Sequence, residues 1–252
     1  MEPVYTPVIW VARALFAAQG LKFTINGTAN IPTTGGAVLM INHLSYFDFA
    51  YAGLAAIPGK RLVRFMAKDD VFYHKISGPL MRGMHHIPVD RAAGAASFRS
   101  AVTALRQGEI VGVFPEATIS RSFELKGFKS GAVRMALAAE VPVVPLVIWG
   151  SQRVWTKGYP KRLGRTNVPI TLSVGEQIPV GRTSDAEDIN TQVRARMNDL
   201  LDAAQQAYPT VPTRELKYLP ARLGGSAPTL EEATLMDDEE AVRRAARRRR
   251  AG

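Results

Sequence analysis

The chain has no cysteine, which excludes disulfides, thiolate nucleophiles and thiolate-ligated metal sites. Histidine is scarce, with four in the chain, and His43, His74, His85 and His86 show neither a metalloprotease helix nor comparable ligand spacing, so no metal is expected. Neither a P-loop nor a dinucleotide fingerprint occurs; the pairs Gly35-Gly36 and Gly224-Gly225 read as turns. No apolar run reaches the roughly 20 residues of a spanning helix. The longest candidate, Val8 to Ala18, is interrupted by Arg13. Glu2 stands where a signal peptide would carry basic residues. This segment, taken as residues 1–20, is expected to be either a core helix or an interfacial one, with Trp10 and Phe16 as anchors in the headgroup layer.

Acidic residues are also few, 22 against 32 basic ones, for a formal charge of +10. From Ser226 onward six acids face six arginines (Arg243, Arg244, Arg247 to Arg250), so residues 1–225 carry the whole excess. The body is therefore expected to be drawn to anionic lipid, phosphate or nucleotide. The terminal arginines are expected to be a solvated tail, with no specific nucleic acid as partner.

Short β-rich runs at Lys22–Ile25, Ala37–Ile41, Leu62–Met66, His86–Val89, Ile110–Phe114, Val143–Ile148 and Ile170–Val174 alternate with helical patterns at Tyr46–Ala56, Ala92–Arg106 and Gly127–Ala139. That alternation predicts an α/β fold, a mixed sheet of about seven strands flanked by helices. A last helix is predicted from Ser184 to Ala207, with Ser184 as N-cap and Glu187 completing a capping box. The domain is thus residues 21–208, followed by 209–252 as an extended, proline-rich arm and a charged tail that is either a short helix or disordered. Adjacent His85 and His86 on a strand point to opposite faces, one packed and one exposed.

The segment carrying chemistry is Asn42-His43-Leu44-Ser45-Tyr46-Phe47-Asp48. A His and an Asp five apart across a strand-to-helix junction can meet. The carboxylate then fixes the imidazole tautomer and leaves the second nitrogen to take a proton from an alcohol, as in a Ser-His-Asp triad whose serine is replaced by the substrate's hydroxyl. Alone, the pattern better fits a structural histidine with an N-capping aspartate.

Three more segments follow in order: Gly83 to Arg91, ending Val89-Asp90-Arg91; Phe114-Pro115-Glu116-Ala117-Thr118-Ile119-Ser120; and Val141-Pro142-Val143-Val144-Pro145-Leu146. Together the four resemble the blocks of the glycerol-phosphate and lysophosphatidate acyltransferase family, over roughly Lys22 to Val180. The resemblance implies His43 as general base, Asp48 as its orienting group, and an acyl-CoA co-substrate with no other cofactor. It assigns Arg91 to the acceptor's phosphate and Phe114, Glu116 and Thr118 to the acceptor site, Glu116 either binding the glycerol part or organising the pocket around it. Two departures stand in the third block. Ala117 replaces the usual glycine and Ile119 the usual arginine, a loss for which Arg121 could substitute. Backbone amides near the first block are the expected oxyanion donors. The basic run Arg153, Lys157, Lys161, Arg162 and Arg165 is expected to meet CoA phosphates or anionic headgroups, and Val141, Pro142 and Pro145 to touch acyl-CoA or membrane. The expected acceptor is a glycerol phosphate or lysophosphatidate, and the expected location the cytoplasmic face of a membrane, peripheral or monotopic.

Overall fold

A computed structural model describes residues 2–90, 94–181 and 183–251. Seven strands, β1 (Lys22–Asn26), β2 (Ala37–Ile41), β3 (Val63–Lys68), β4 (Ile87–Val89), β5 (Ile110–Val113), β6 (Val143–Trp149) and β7 (Pro169–Val174), form one sheet in the order β1-β7-β6-β2-β5-β3-β4. All neighbouring pairs are parallel except β6 with β7, so β7 and β1 run against the other five. The sheet is mixed, as the sequence predicts.

Helices cover both faces, which is why the central strands read as unbroken apolar runs. Val38, Met40, Val111, Val147 and Trp149 face α5 (Gly94–Arg106), α6 (Gly131–Ala139) and α7 (Ala186–Gln206). Leu39, Ile41, Val144, Leu146 and Ile148 face α1 (Tyr5–Ala18) and α2 (Asp48–Leu54). Val141 and Pro145, expected to touch acyl-CoA or membrane, are buried in this interior; Pro142 adjoins them, partly buried. Pro145 also lies in a central strand, where a proline usually breaks the ladder. Its carbonyl accepts from Gly175 N on the β7 side. The missing N–H therefore falls in the gap between the Leu146–Val174 pair and the Val143–Ile178 bridge.

Several elements differ from expectation. Phe16 is a core residue packed against the rings of Phe23 and Tyr51, not a membrane anchor, whereas Trp10 is 68% exposed. Two short helices, α3 (Asp70–Tyr73) and α4 (Ser77–Gly83), fill a stretch without clear periodicity. His85 is exposed and His86 buried, but the cause is a left-handed turn at His85 (φ 57°) before β4 rather than strand alternation. Asp185, not Ser184, caps α7 by accepting from Glu187 N and Asp188 N.

The stretch after Tyr208 is not an outlying arm. Two 3-10 turns, Thr213–Tyr218 and Ala221–Leu223, begin after prolines and pack Tyr218 and Glu215 into the body. A helix α8 (Leu230–Ala251) follows, started by a reciprocal Thr229–Glu232 capping box.

Candidate active site

The parallel strands β6, β2 and β5 are neighbours, and their C-terminal ends deliver Ser151, His43 and Phe114 to one place, where open α/β sheets generally bind ligands. Asn42 sets the exit from β2. Its side-chain amide donates to Ile148 O (3.0 Å) and accepts from Ile148 N (2.7 Å), continuing the ladder to β6 after the backbone has left it.

His43 comes next. Its Nδ1 lies 3.1 Å from Asp48 Oδ2, at the start of α2. That oxygen also accepts from Leu44 N (2.6 Å) and Ser45 N (2.7 Å), and Oδ1 accepts from Ser151 Oγ (2.6 Å). Asp48 is thus fully buried yet surrounded by donors, the condition under which a buried carboxylate is tolerated. A carboxylate accepting at Nδ1 fixes the proton there and leaves Nε2 as the basic nitrogen; the His43 side chain keeps 21% of its surface open.

Glu116 holds the same segment from the other side. Its Oε1 accepts from His43 N (3.0 Å) and its Oε2 from Lys126 N (3.1 Å), while Ser120 N donates to His43 O (2.8 Å). Of the two expected roles, this geometry carries the organising one. Complete burial pushes the Glu116 carboxyl up to about 8, against the opposing pull of the two backbone donors and Lys126. Phe114 stacks on the imidazole at 4.3 Å, and Phe65 continues the stack at 6.5 Å. Gly112 makes this possible, because a Cβ there would lie 2.7 Å from the Phe65 ring.

The expected oxyanion donors are not available. The amides of His43, Leu44 and Ser45 donate to Glu116 and Asp48, those of Tyr46, Phe47 and Asp48 to Trp155 O, Ser45 Oγ and Ser45 O. Every amide from His43 to Asp48 already has an acceptor within the fold.

A family model described as Acyltransferase matches residues 22–149. The chain belongs to the acyltransferase family. It is 34% identical over 144 residues to the 1-acyl-sn-glycerol-3-phosphate acyltransferase of Bacillus subtilis, covering 54% of this chain and 70% of that one. With the Limnanthes douglasii protein of the same description it shares 32% identity over 155 residues, 60% of this chain and 51% of the plant protein. The fold matches the crystal structure of the 1-acyl-sn-glycerophosphate (LPA) acyltransferase of Thermotoga maritima at a TM-score of 0.58, with 22% identity over 81% of this chain and 84% of that one.

In this acyltransferase Ser151 is the site residue that sequence reasoning missed. It lies beyond the matched region, on a turn opened by Gly150 (φ 95°), where a Cβ would strike Pro169 O at 2.3 Å. Arg91 lies outside the described residues. Ala117 keeps the backbone of the glycine it replaces, at φ 60°, and Ile119 is buried rather than facing a ligand. Thr118 accepts from Lys126 Nζ at 2.7 Å.

The basic run divides. Arg153, expected at CoA phosphates or headgroups, is buried and bound to Glu215 (2.8 Å) and Tyr208 Oη (3.0 Å), with Arg162 on the same carboxylate, so its guanidinium is engaged inside the fold. Lys161 is exposed and lies 4.4 Å from the centre of the Trp155 ring. Lys157, expected at CoA phosphates or headgroups, and Arg121, expected at the acceptor's phosphate, both meet Asp237 and Glu240 of α8. Among the described residues no group of three or more His, Cys, Asp or Glu side chains is placed to hold a metal ion, and no helix is long and apolar enough to cross a membrane.

Proposed function

We propose that the chain transfers a fatty acyl group from acyl-CoA to the free hydroxyl of 1-acyl-sn-glycerol-3-phosphate, giving phosphatidic acid. The observation that carries the reading is the His43–Asp48 pair, its imidazole partly exposed at the end of three adjacent strands. Nε2 takes the hydroxyl proton as the oxygen attacks the thioester carbonyl. The tetrahedral intermediate then collapses, the C–S bond breaks, and the protonated His43 returns its proton to the leaving sulfur. Asp48 stabilises the imidazolium between the two steps. This chemistry calls for no acyl-enzyme, metal or redox cofactor.

Support for a lipid substrate comes from beside the ring stack. Phe49 and Phe65 line an apolar groove with Tyr5, Ile9 and Leu54, of a character suited to an acyl chain. Trp10, Val11, Leu15, Tyr73 and Ile76 stand exposed on α1 and around α3–α4, which fits a peripheral or monotopic seat on the cytoplasmic face of an anionic membrane. The names of the Bacillus and Limnanthes relatives point to the same acceptor. Thiol release measured with acyl-CoA or an acyl-carrier-protein thioester as donor, and lysophosphatidate or glycerol-3-phosphate as acceptor, tests each part separately. Acceptor-dependent CoA release with lysophosphatidate is expected. Release that ignores the acceptor would refute the transferase reading, and turnover only with glycerol-3-phosphate would reassign the acceptor.

A further inference from the structure

Arg121, Lys126 and Lys157 converge on two carboxylates of α8. Asp237 Oδ1 lies 3.1 Å from Arg121 Nε and 2.7 Å from Lys157 Nζ, and its Oδ2 lies 2.5 Å from Lys126 Nζ. Glu240 Oε2 lies 2.8 Å from Arg121 Nη2 and 2.7 Å from Lys157 Nζ. Two of the cations ride on the loop that clasps His43: Ser120, next to Arg121, donates to His43 O, and Lys126 N shares Glu116 with His43 N. The cation cluster is therefore built onto the wall of the reaction centre.

The manner in which α8 is held is informative. Ala233 is its one buried residue among those described, and its large apolar side chains face outward, Leu235 at 61% and Val242 at 69% exposure. Ala233, Asp237 and Glu240 lie on one face at helical spacing. The docking therefore rests on charge, with little buried apolar area, and charge contacts can be exchanged for others. Two carboxylates carry the charge of a phosphate monoester, about −1.5 to −2 at neutral pH, and offer the same kind of acceptor oxygens.

We propose that Arg121, Lys126 and Lys157 form a binding site for a substrate phosphate, and that Asp237 and Glu240 of α8 fill it as a tethered surrogate that the phosphate displaces. The cation lost at Ile119 is thereby replaced by three others. The proposal takes its class of ligand from the acyl-transfer reading above. A tethered competitor lowers the ligand's apparent affinity by the fraction of time the site is open, so a helix docked about nine-tenths of the time weakens binding about tenfold.

Calorimetric binding of inorganic phosphate to the full chain tests this without turnover. Asp237→Asn/Glu240→Gln should bind phosphate at least about tenfold more tightly than the unaltered chain. Adding Lys157→Ala should remove that gain, and Asp238→Asn/Glu239→Gln, the same charge change on the outer face, should produce none. Equal phosphate affinity in the first variant and the unaltered chain, or an equal gain in the outer-face control, overturns the proposal. Should the first variant fail to fold, amide exchange of residues 230–242 in the unaltered chain decides. Exchange should accelerate in phosphate beyond chloride of matched ionic strength, and equal exchange in the two salts overturns the surrogate role. In turnover assays the first variant should show a lower KM for the phosphate-bearing acceptor, or for CoA thioester if the site serves the donor; an unchanged KM for both overturns it. Tighter phosphate binding in a protein that transfers no acyl group would instead leave the site standing and refute the acyl-transfer reading.

Discussion

Asp48 and Asp237 each sit among several donors, yet the two are held by different kinds of group. Asp48 is fixed by two backbone amides, the Ser151 hydroxyl and the imidazole it serves, in a pocket closed to water. Asp237 is held by Arg121, Lys126 and Lys157 at a partly open surface. Backbone donors cannot rotate away, so the first arrangement is set before substrate arrives, as catalysis requires. Long cationic side chains can re-pair, and salt screens them, so the second arrangement is the exchangeable one.

The largest effects should come from the fixed side. His43→Ala should lower kcat by about 100- to 10,000-fold with α8 still docked, since a positioned base contributes on that order. Asp48→Asn should be comparably severe, because a neutral amide no longer stabilises the imidazolium that forms on His43. Ser151→Ala should cost less, about tenfold to a hundredfold, from one lost hydrogen bond to a charged group. An active His43→Ala enzyme, or a Ser151→Ala enzyme with unaltered kcat, would break the contrast.

Acid–base behaviour separates the regions with opposite signs. Glu116 ionises near 4.5 when unfolded but at about 8 when folded. Between those values the folded chain keeps a proton the unfolded chain has lost, so this stabilisation is present at low pH and lost as pH rises through about 8. Lys126 and Lys157 outweigh burial at Asp237 and hold it at about 2 against an ordinary 3.8, so its contribution is present above 3.8 and lost as pH falls through about 2. In chemical denaturation across pH, Glu116→Gln should flatten the decline toward pH 8 and Asp237→Asn the decline toward acid. A slope unchanged by Glu116→Gln would place the Glu116 ionisation elsewhere.

The smallest effect should come from the joint between the regions. Ala117 follows Glu116 and precedes Thr118 and Arg121, and holds a left-handed backbone that disfavours a side chain. Ala117→Gly relieves that strain, offset in part by the freer unfolded chain, for a net gain of about 0.5 to 1 kcal/mol. A lower melting temperature in this variant would show that the alanine methyl makes a packing contact that outweighs the strain.

What the sequence made legible was local. β2, the turn after it and the meeting of His43 with Asp48 lie within a dozen residues, where apolar runs and short spacings report directly on geometry. The partners brought by the fold were not legible. Ser151 reaches Asp48 across 103 residues with no spacing to announce it. Asp237 reaches Arg121 across 116, from a segment whose balanced charges read as a solvated tail. Arg153 was misjudged for a related reason: a count of cations cannot distinguish one facing solvent from one buried on Glu215.

The reversal between β6 and β7 splits the sheet into a working half and a carrying half. Ser151, His43 and Phe114 all leave strands of the parallel block, whereas β7 and β1 end at the opposite edge, beside Gly175 and Gly27. Five to seven residues of strand, about 16 to 24 Å, separate that edge from the reaction centre. The far rim is thus a handle, where a fluorophore or surface tether can be attached while the His43 end is left untouched.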